Sequence, residues 1–195
     1  MKNKISQEDH KESPWKTLST QPVYNNAWIK VEEHKAINPG GAPCIYGKVS
    51  FKNEAVGIIP IDKEGNTWLV GQFRYTLNEW SWEIPMGGSP KDEDPEATAN
   101  RELEEETGLK ANTITKLLQL HPSNSVTDEK GYVYLATELN EGIQQLETSE
   151  QDIQVRKLPF EEVLAMAQNG EITDAISLAG IFYLALNKKL ITQQK

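Results

Sequence analysis

Residues 87–109, GGSPKDEDPEATANRELEEETGL, constrain this chain more than any other stretch. Chemically they are a pair of glycines, an acidic loop, a helix start, a cluster of carboxylates and a glycine stop. Asp94 is a favourable N-cap and Pro95 a favourable first helical residue, because proline has no N–H to leave unsatisfied there. Gly108 suits the left-handed position that ends a helix. The spacing predicts a helix over 95–107. Glu102, Glu105 and Glu106 then fall at i, i+3 and i+4 and share one face, where unpaired like charges repel. An E-rich helix is ordinarily a solvated acidic face. Here the glycines, the cap and Arg101 at fixed offsets argue for a site instead. Carboxylates converging with no Cys or His beside them make an all-oxygen donor set, which suits a hard cation such as Mg²⁺ or Mn²⁺.

The remaining composition narrows what such a site can serve. A net charge of −9 argues against broad nucleic-acid binding, which wants a basic face. It leaves room for a small anionic substrate, since bound cations supply positive charge locally. Cys44 is the one cysteine in the sequence, so no intrachain disulfide forms and a reducing, cytoplasmic setting is expected. His10, His34 and His121 have no neighbouring Cys or His in the sequence, which argues against zinc. No stretch approaches the ~18 apolar residues of a membrane span. Residues 1–20 are polar, lack the apolar centre of a signal peptide and read as a flexible N-terminal arm, leaving 21–195 as a single domain.

Within that domain, 27–36 and 45–51 read as paired strands around the turn Asn38-Pro39-Gly40-Gly41, forming an N-terminal sheet over 21–52. Residues 55–61 and 67–73 flank Asp62-Lys63-Glu64-Gly65-Asn66 and make the clearest hairpin. Trp80 and Trp82 alternate onto one face of a short strand that enters the glycines, a pattern open to sheet packing or to base stacking. Arg74 and Glu83 are charged residues at the ends of core strands, costly if merely buried, and form either a surface pair or part of a site. Beyond the helix, 111–120, 131–136 and 153–158 read as strands, and 159–169 and 174–186 as helices. Strands, helix, strands, then two helices fit an α/β chain with a mixed sheet covered on both faces.

The same central stretch resembles the Nudix box. Gly87, Glu93, Arg101-Glu102-Leu103, Glu105-Glu106 and Gly108-Leu109 match its pattern with no departure. The resemblance implies a Nudix-type α/β/α sandwich with an extra N-terminal antiparallel sheet. It implies cleavage of a diphosphate linkage with divalent metal and water. It assigns Glu102, Glu105 and Glu106 as side-chain ligands, with the main-chain carbonyl near Met86–Gly87, and makes Glu105 and Glu106 catalytic. Arg101 is expected to pair with a loop carboxylate such as Glu93 and fix the geometry of the box.

QFRY and WEIPMGG are similar to segments of the ADP-ribose and sugar-nucleotide branch. That likeness implies a nucleoside diphosphate sugar substrate of the ADP-ribose or GDP-mannose type, with Arg74 on phosphate and Glu83 positioning substrate or water. It also implies a homodimer built through the N-terminal sheet. Trp28, Trp80 and the loop 121–130 are expected to shape the substrate pocket. Pro122 stands earlier than the proline of ADP-ribose enzymes, and Ser123 stands where many relatives have glycine. A general base on a late loop is expected at Glu150, with Glu147 and Asp152 as alternatives. Competing readings are hydrolysis of nucleoside triphosphates or dinucleoside polyphosphates, and a non-catalytic nucleotide-sensing module. The intact box carboxylates oppose the last of these.

Overall fold

The structure is a computed structural model and describes residues 12–146 and 148–192. Its chain divides into two compact units, Met1–Lys52 with Ser125–Asp128, and Asn53–Asn124 with Glu129–Lys195. The first unit is an antiparallel sheet of β1 (Lys16–Asn25), β2 (Ile29–Ile37) and β3 (Pro43–Phe51). Asn26 Oδ1 accepts the N–H groups of Trp28 and Ile29 at 2.9 and 2.8 Å, closing the first hairpin. Asn38 Oδ1 accepts Ala42 N–H at 3.0 Å and closes the second. The segment 125–128 is pinned to β3 through Asp128, which accepts Ser50 Oγ–H at 2.8 Å and pairs with Lys48.

The strand β1 runs through part of the stretch expected to be an arm. Residues 16–20 pair with β2, and the remainder of that arm up to residue 11 lies outside the described residues. Every side chain of β1 is exposed, so it lacks the apolar alternation that marks a half-buried strand. Main-chain pairing to β2 defines it instead.

The second unit is layered. A four-stranded sheet in the order β7 (Met86–Pro90), β4 (Asn53–Pro60), β9 (Gly131–Glu141), β8 (Leu109–Leu120) has one parallel pairing, β4 with β9. A second sheet holds β10 (Gln154–Pro159), β5 (Asn66–Arg74) and β6 (Glu79–Glu83). Alternation along β4 and β9 sorts residues between two cores. Val56, Ile58, Tyr134 and Ala136 meet Ala99 and Leu103 of α1 (Pro95–Thr107). Ile59, Val133 and Leu135 face the other way, onto α2 (Phe160–Gln168) and α3 (Ala175–Leu186). This is an α/β/α sandwich with a mixed sheet, and the antiparallel sheet of the first unit is the extra N-terminal element. A short α4 (Lys189–Thr192) follows. Among the described residues no helix is long and apolar enough to cross a membrane.

The helix α1 begins and ends where its caps require. Asp94 accepts Glu96 N–H at 3.0 Å, and Gly108, at φ 71°, donates its N–H to Glu104 O. The glycines before it differ from expectation. Met86–Pro90 is a strand paired antiparallel with β4 rather than a bare turn.

Candidate active site

Strand register decides which side chains of the β5–β6 hairpin share a face. Val70 pairs with Glu83, Gln72 with Ser81 and Arg74 with Glu79, so Arg74 and Glu83 lie on the same side. Glu83 is 3% exposed. Arg74 Nε donates to Glu83 Oε1 at 2.9 Å and Nη2 donates to Oε2, a two-pronged pairing that suits a guanidinium and a carboxylate. That hydrogen bonding raises the Arg74 pKa further above its ordinary value, and burial opposes it. Trp80 and Trp82 fall in the register of Phe73 and Gly71, on the opposite face. There the Arg156 guanidinium lies 4.2 Å over the Trp82 ring, and Trp80 meets Trp82 edge-on at 6.0 Å. Trp28 belongs to the first unit and is exposed.

From Glu83 the chain crosses to β7 through Ile84, Pro85 and Met86, and each residue of this strap has its own anchor. Ile84 N–H is donated to Ser177 Oγ of α3 at 3.0 Å, and Pro85 O accepts Ile58 N–H at 2.9 Å. Met86 N–H is donated to Glu106 Oε2 of α1 at 2.9 Å. Gly87 lies against Glu102. A Cβ there would sit 2.1 Å from the Glu102 carboxyl carbon, so any larger residue must displace the carboxylate or the strand.

The three box glutamates occupy unequal environments. Glu102 and Glu106 lie on the buried stripe of α1 with Thr98, Ala99 and Leu103, and Glu106 is fully buried. Glu105 is partly exposed. Arg101 Nη1 reaches Glu102 at 2.9 Å and Glu105 at 2.7 Å, so its closest partners are the box glutamates, with Glu93 acting on it as a charge. Burial pushes the Glu102 carboxyl up to about 7, against the pull of Arg101, while Glu105 and Glu150 add repulsion. Burial also raises Glu106 well above the usual carboxylate range, reinforced by the charges of Glu102 and Glu150 and opposed by the Met86 N–H.

The late acidic segment is fastened to the carbonyl end of α1. Gly142 N–H is donated to Gly108 O at 2.7 Å and Gln145 N–H to Glu105 O at 2.9 Å. Gln144 Nε2 donates to Glu106 O at 2.6 Å. These bonds satisfy carbonyls that a helix terminus otherwise leaves open. They lead to a 3-10 turn at Thr148–Glu150, from which the Glu150 charge acts on Glu102 and Glu106. Of the other candidates for the base, Asp152 accepts Phe73 N–H at 3.1 Å, and Glu147 lies outside the described residues.

Among the described residues no three His, Cys, Asp or Glu side chains are arranged to hold a metal ion as they stand. Arg101 takes up Glu102 and Glu105, and Glu106 turns one oxygen to Met86. The donor set nevertheless fits a hard cation. It is all oxygen, and burial raises two of its carboxyls, Glu102 and Glu106, above the usual carboxylate range. Glu106 Oε1 is buried with no hydrogen-bond partner. A divalent ion would relieve all of these penalties at once.

Gln144 and Ser177 are contacts that sequence reasoning missed. Gln144 sits in a polar segment with nothing local to distinguish it. Ser177 carries a weak signal, as a hydroxyl within the otherwise apolar run AISLAGI.

Residues 52–178 match the NUDIX domain model, and residues 15–49 match the nucleoside diphosphate sugar hydrolase N-terminal domain. The chain belongs to the Nudix family and is a hydrolase, of a family that depends on divalent metal. It is 37% identical over 180 residues to an ADP-ribose pyrophosphatase of Bacillus subtilis (strain 168), covering 92% of this chain and 97% of that protein. It is 33% identical over 176 residues to an ADP-ribose pyrophosphatase of Mycobacterium tuberculosis, covering 87% of this chain and 83% of the relative. A crystal structure of an ADP compounds hydrolase superposes with a TM-score of 0.80 at 20% identity, covering 92% of this chain and 95% of the other, which establishes the shared fold.

Proposed function

We propose that the protein hydrolyses the pyrophosphate bond of a nucleoside diphosphate sugar, of the ADP-ribose or GDP-mannose type, to a nucleoside monophosphate and a sugar phosphate. The observation that carries this reading is the buried pair Glu102 and Glu106 beside the glycine strand, with one Glu106 oxygen unpartnered and the Arg74–Glu83 pair on the adjoining hairpin. The names of the two relatives favour ADP-ribose as the first substrate to try.

In this reading Glu102, Glu105 and Glu106, with the main-chain carbonyl at Met86–Gly87, would hold Mg²⁺ or Mn²⁺. The bound ion supplies positive charge to the phosphates and acidifies water at the site. Arg74 binds a phosphate oxygen through Nη1, and Glu83 holds the guanidinium in the plane needed to do so. Glu150 accepts a proton from the attacking water, and Glu93 and Arg101 keep the box in shape. The water oxygen forms a bond to one phosphorus as the bridging oxygen leaves with the other phosphate, which gives two monoesters. The protein acts as a homodimer and works in the cytoplasm on small nucleotides.

The test is phosphomonoester release from ADP-ribose, GDP-mannose, other sugar nucleotides, triphosphates and dinucleoside polyphosphates, with Mg²⁺ and with chelator. Metal-dependent turnover of a sugar nucleotide, reduced about 10²–10⁴-fold in Glu106→Gln, is the expected result. Turnover confined to triphosphates or dinucleoside polyphosphates would overturn the substrate class. Binding of nucleotide with no turnover would overturn the enzymatic assignment.

A further inference from the structure

Between Glu83 and Gly87 the strap has only two main-chain donors, because Pro85 has no N–H. Both are given to side chains of helices rather than to a strand. Met86 N–H goes to Glu106 of α1, and Ile84 N–H goes to Ser177 Oγ of α3 at 3.0 Å. These helices pack on opposite faces of the central sheet, so the strap is tied between the two helical layers.

Ser177 is itself fully buried. A hydroxyl in an apolar helix is costly to bury unless it is hydrogen-bonded, and here its oxygen takes a donor 93 residues away in sequence. The oxygen is held in place in turn. The Ser177 N–H is donated to Oδ2 of Asp174, the N-cap of α3, at 2.7 Å. Asp174, Ser177 and Ile84 thus form a short relay ending two residues from the N–H that orients Glu106.

We infer that Ser177 is a positioning residue for the strap 83–87, through which α3, a helix outside the box, sets the placement of Glu83, of the Met86–Gly87 main chain and of Glu106. The consequence for metal and turnover rests on the reading of Glu102, Glu105 and Glu106 as the ion site. The consequence for the strap does not.

The experiment compares Ser177→Ala with Ile181→Val, a change in the same helix at a fully buried position whose apolar side chain accepts no hydrogen bond from the strap. Ser177→Cys keeps the size with a weaker acceptor and serves if the alanine variant folds poorly. The readouts are the Mg²⁺ concentration for half-maximal rate, kcat and KM taken separately, and main-chain hydrogen exchange at Ile84 and Met86. Ser177→Ala is expected to raise the half-saturating Mg²⁺ and lower kcat by about tenfold each, with KM nearly unchanged, in line with loss of a support behind metal ligands. Exchange at Met86 should accelerate beyond that of other core amides, and Ser177→Cys should fall between. Ile181→Val should lose melting temperature with none of these changes. If both variants give the same Mg²⁺ response and the same Met86 protection, the proposal is overturned. If the unaltered protein shows no metal-dependent turnover, the functional reading fails on its own, and the exchange data alone decide the role of Ser177.

Discussion

Glu104 and Glu106 stand two residues apart on one helix and live in opposite electrostatic worlds. Glu104 faces out, pairs with Lys110 at 3.0 Å and accepts Ile143 N–H, and the Lys110 hydrogen bond holds its carboxyl below the usual range. Glu106, with Glu102 one turn before it, faces in, lacks a cation of its own and is pushed up by burial. Glu104 therefore has what a carboxylate needs to stay ionised, whereas Glu106 has no ion-pair partner and the Arg101 guanidinium beside Glu102 does not outweigh the burial of that carboxyl. The difference teaches where to look for function. The outer carboxylate is satisfied by the fold, whereas the inner pair carries a burial penalty that Arg101 offsets only in part and that the fold preserves at some cost.

The sharpest way to break the comparison is to neutralise one residue from each face. Glu102→Gln is expected to lower Mg²⁺-dependent kcat by about 10²–10³-fold, since it removes a ligand charge at the reacting centre. Glu104→Gln should leave kcat within about twofold, because its partners are Lys110 and a loop N–H. Equal losses in the two variants, measured at saturating substrate, would show that general acidity of the helix matters rather than its inner face.

The pH dependence of stability sharpens the same contrast without touching turnover. The Glu102 carboxyl, raised to about 7, holds its proton more tightly folded than unfolded. Its contribution to stability is therefore fully present below the unfolded value near 4.5 and is lost as pH rises through about 7. The loss is on the order of 3 kcal/mol in chelator. Glu106 shifts in the same direction and adds to the slope. Mg²⁺ should oppose this loss, so the melting-temperature gain on adding metal should grow across that window. Glu102→Gln should flatten the chelator curve. Glu104 has the opposite sign, contributing above its unfolded value and losing that contribution as pH falls. A chelator melting temperature that does not fall between pH 5 and pH 8 at all would contradict the burial argument, since ~1.4 kcal/mol accompanies each shifted unit.

What could be read in the sequence follows the range of the forces involved. The helix 95–107 emerges with its ends in place because Asp94, Pro95 and Gly108 act within a few residues of what they cap. The hairpin expected between β4 and β5 does not form: β4 pairs with β7 and β9 and β5 with β6 and β10, so the local turn at 62–66 carries the chain from one sheet to the other, and which strands pair is a long-range choice. The strand β1 escaped because exposure on every residue erases alternation, and β7 because glycines at 87 and 88 read as a turn. Their strand geometry comes from pairing with β4 and from the room Glu102 needs. Within the site, the glutamates are legible as a spacing. Their inequality is not, because the burial of Glu102 and Glu106 and the part-exposure of Glu105 depend on how α1 seats on the sheet. Arg101 likewise turned to Glu102 and Glu105, whose side chains lie nearer than the loop. The separation of Trp80 from Arg74 and Glu83 follows from strand parity alone, and was available once Trp80 and Glu83 were placed three apart on one strand. Ser177 was beyond reach, since nothing near it in sequence signals Ile84.

The smallest expected effect lies on the outer face and tests whether the quiet side is quiet. Lys110→Met removes the partner that holds Glu104 ionised while keeping an apolar stem over the surface. Glu104 retains the Ile143 N–H and gains solvent, so exposure substitutes for the lost cation. Melting temperature should move by no more than about 2 °C, and kcat by less than about twofold, since exposed ion pairs contribute little. A route from this substitution to the site runs through the segment 142–145, which touches both Glu104 and the carbonyls of Glu105 and Glu106. That segment keeps its three bonds to α1 and Gly108 carbonyls when Lys110 is lost. A tenfold fall in kcat with unchanged melting temperature would mean that Glu104 helps to hold the approach to Glu150, and that the two faces of α1 are coupled through this loop rather than independent.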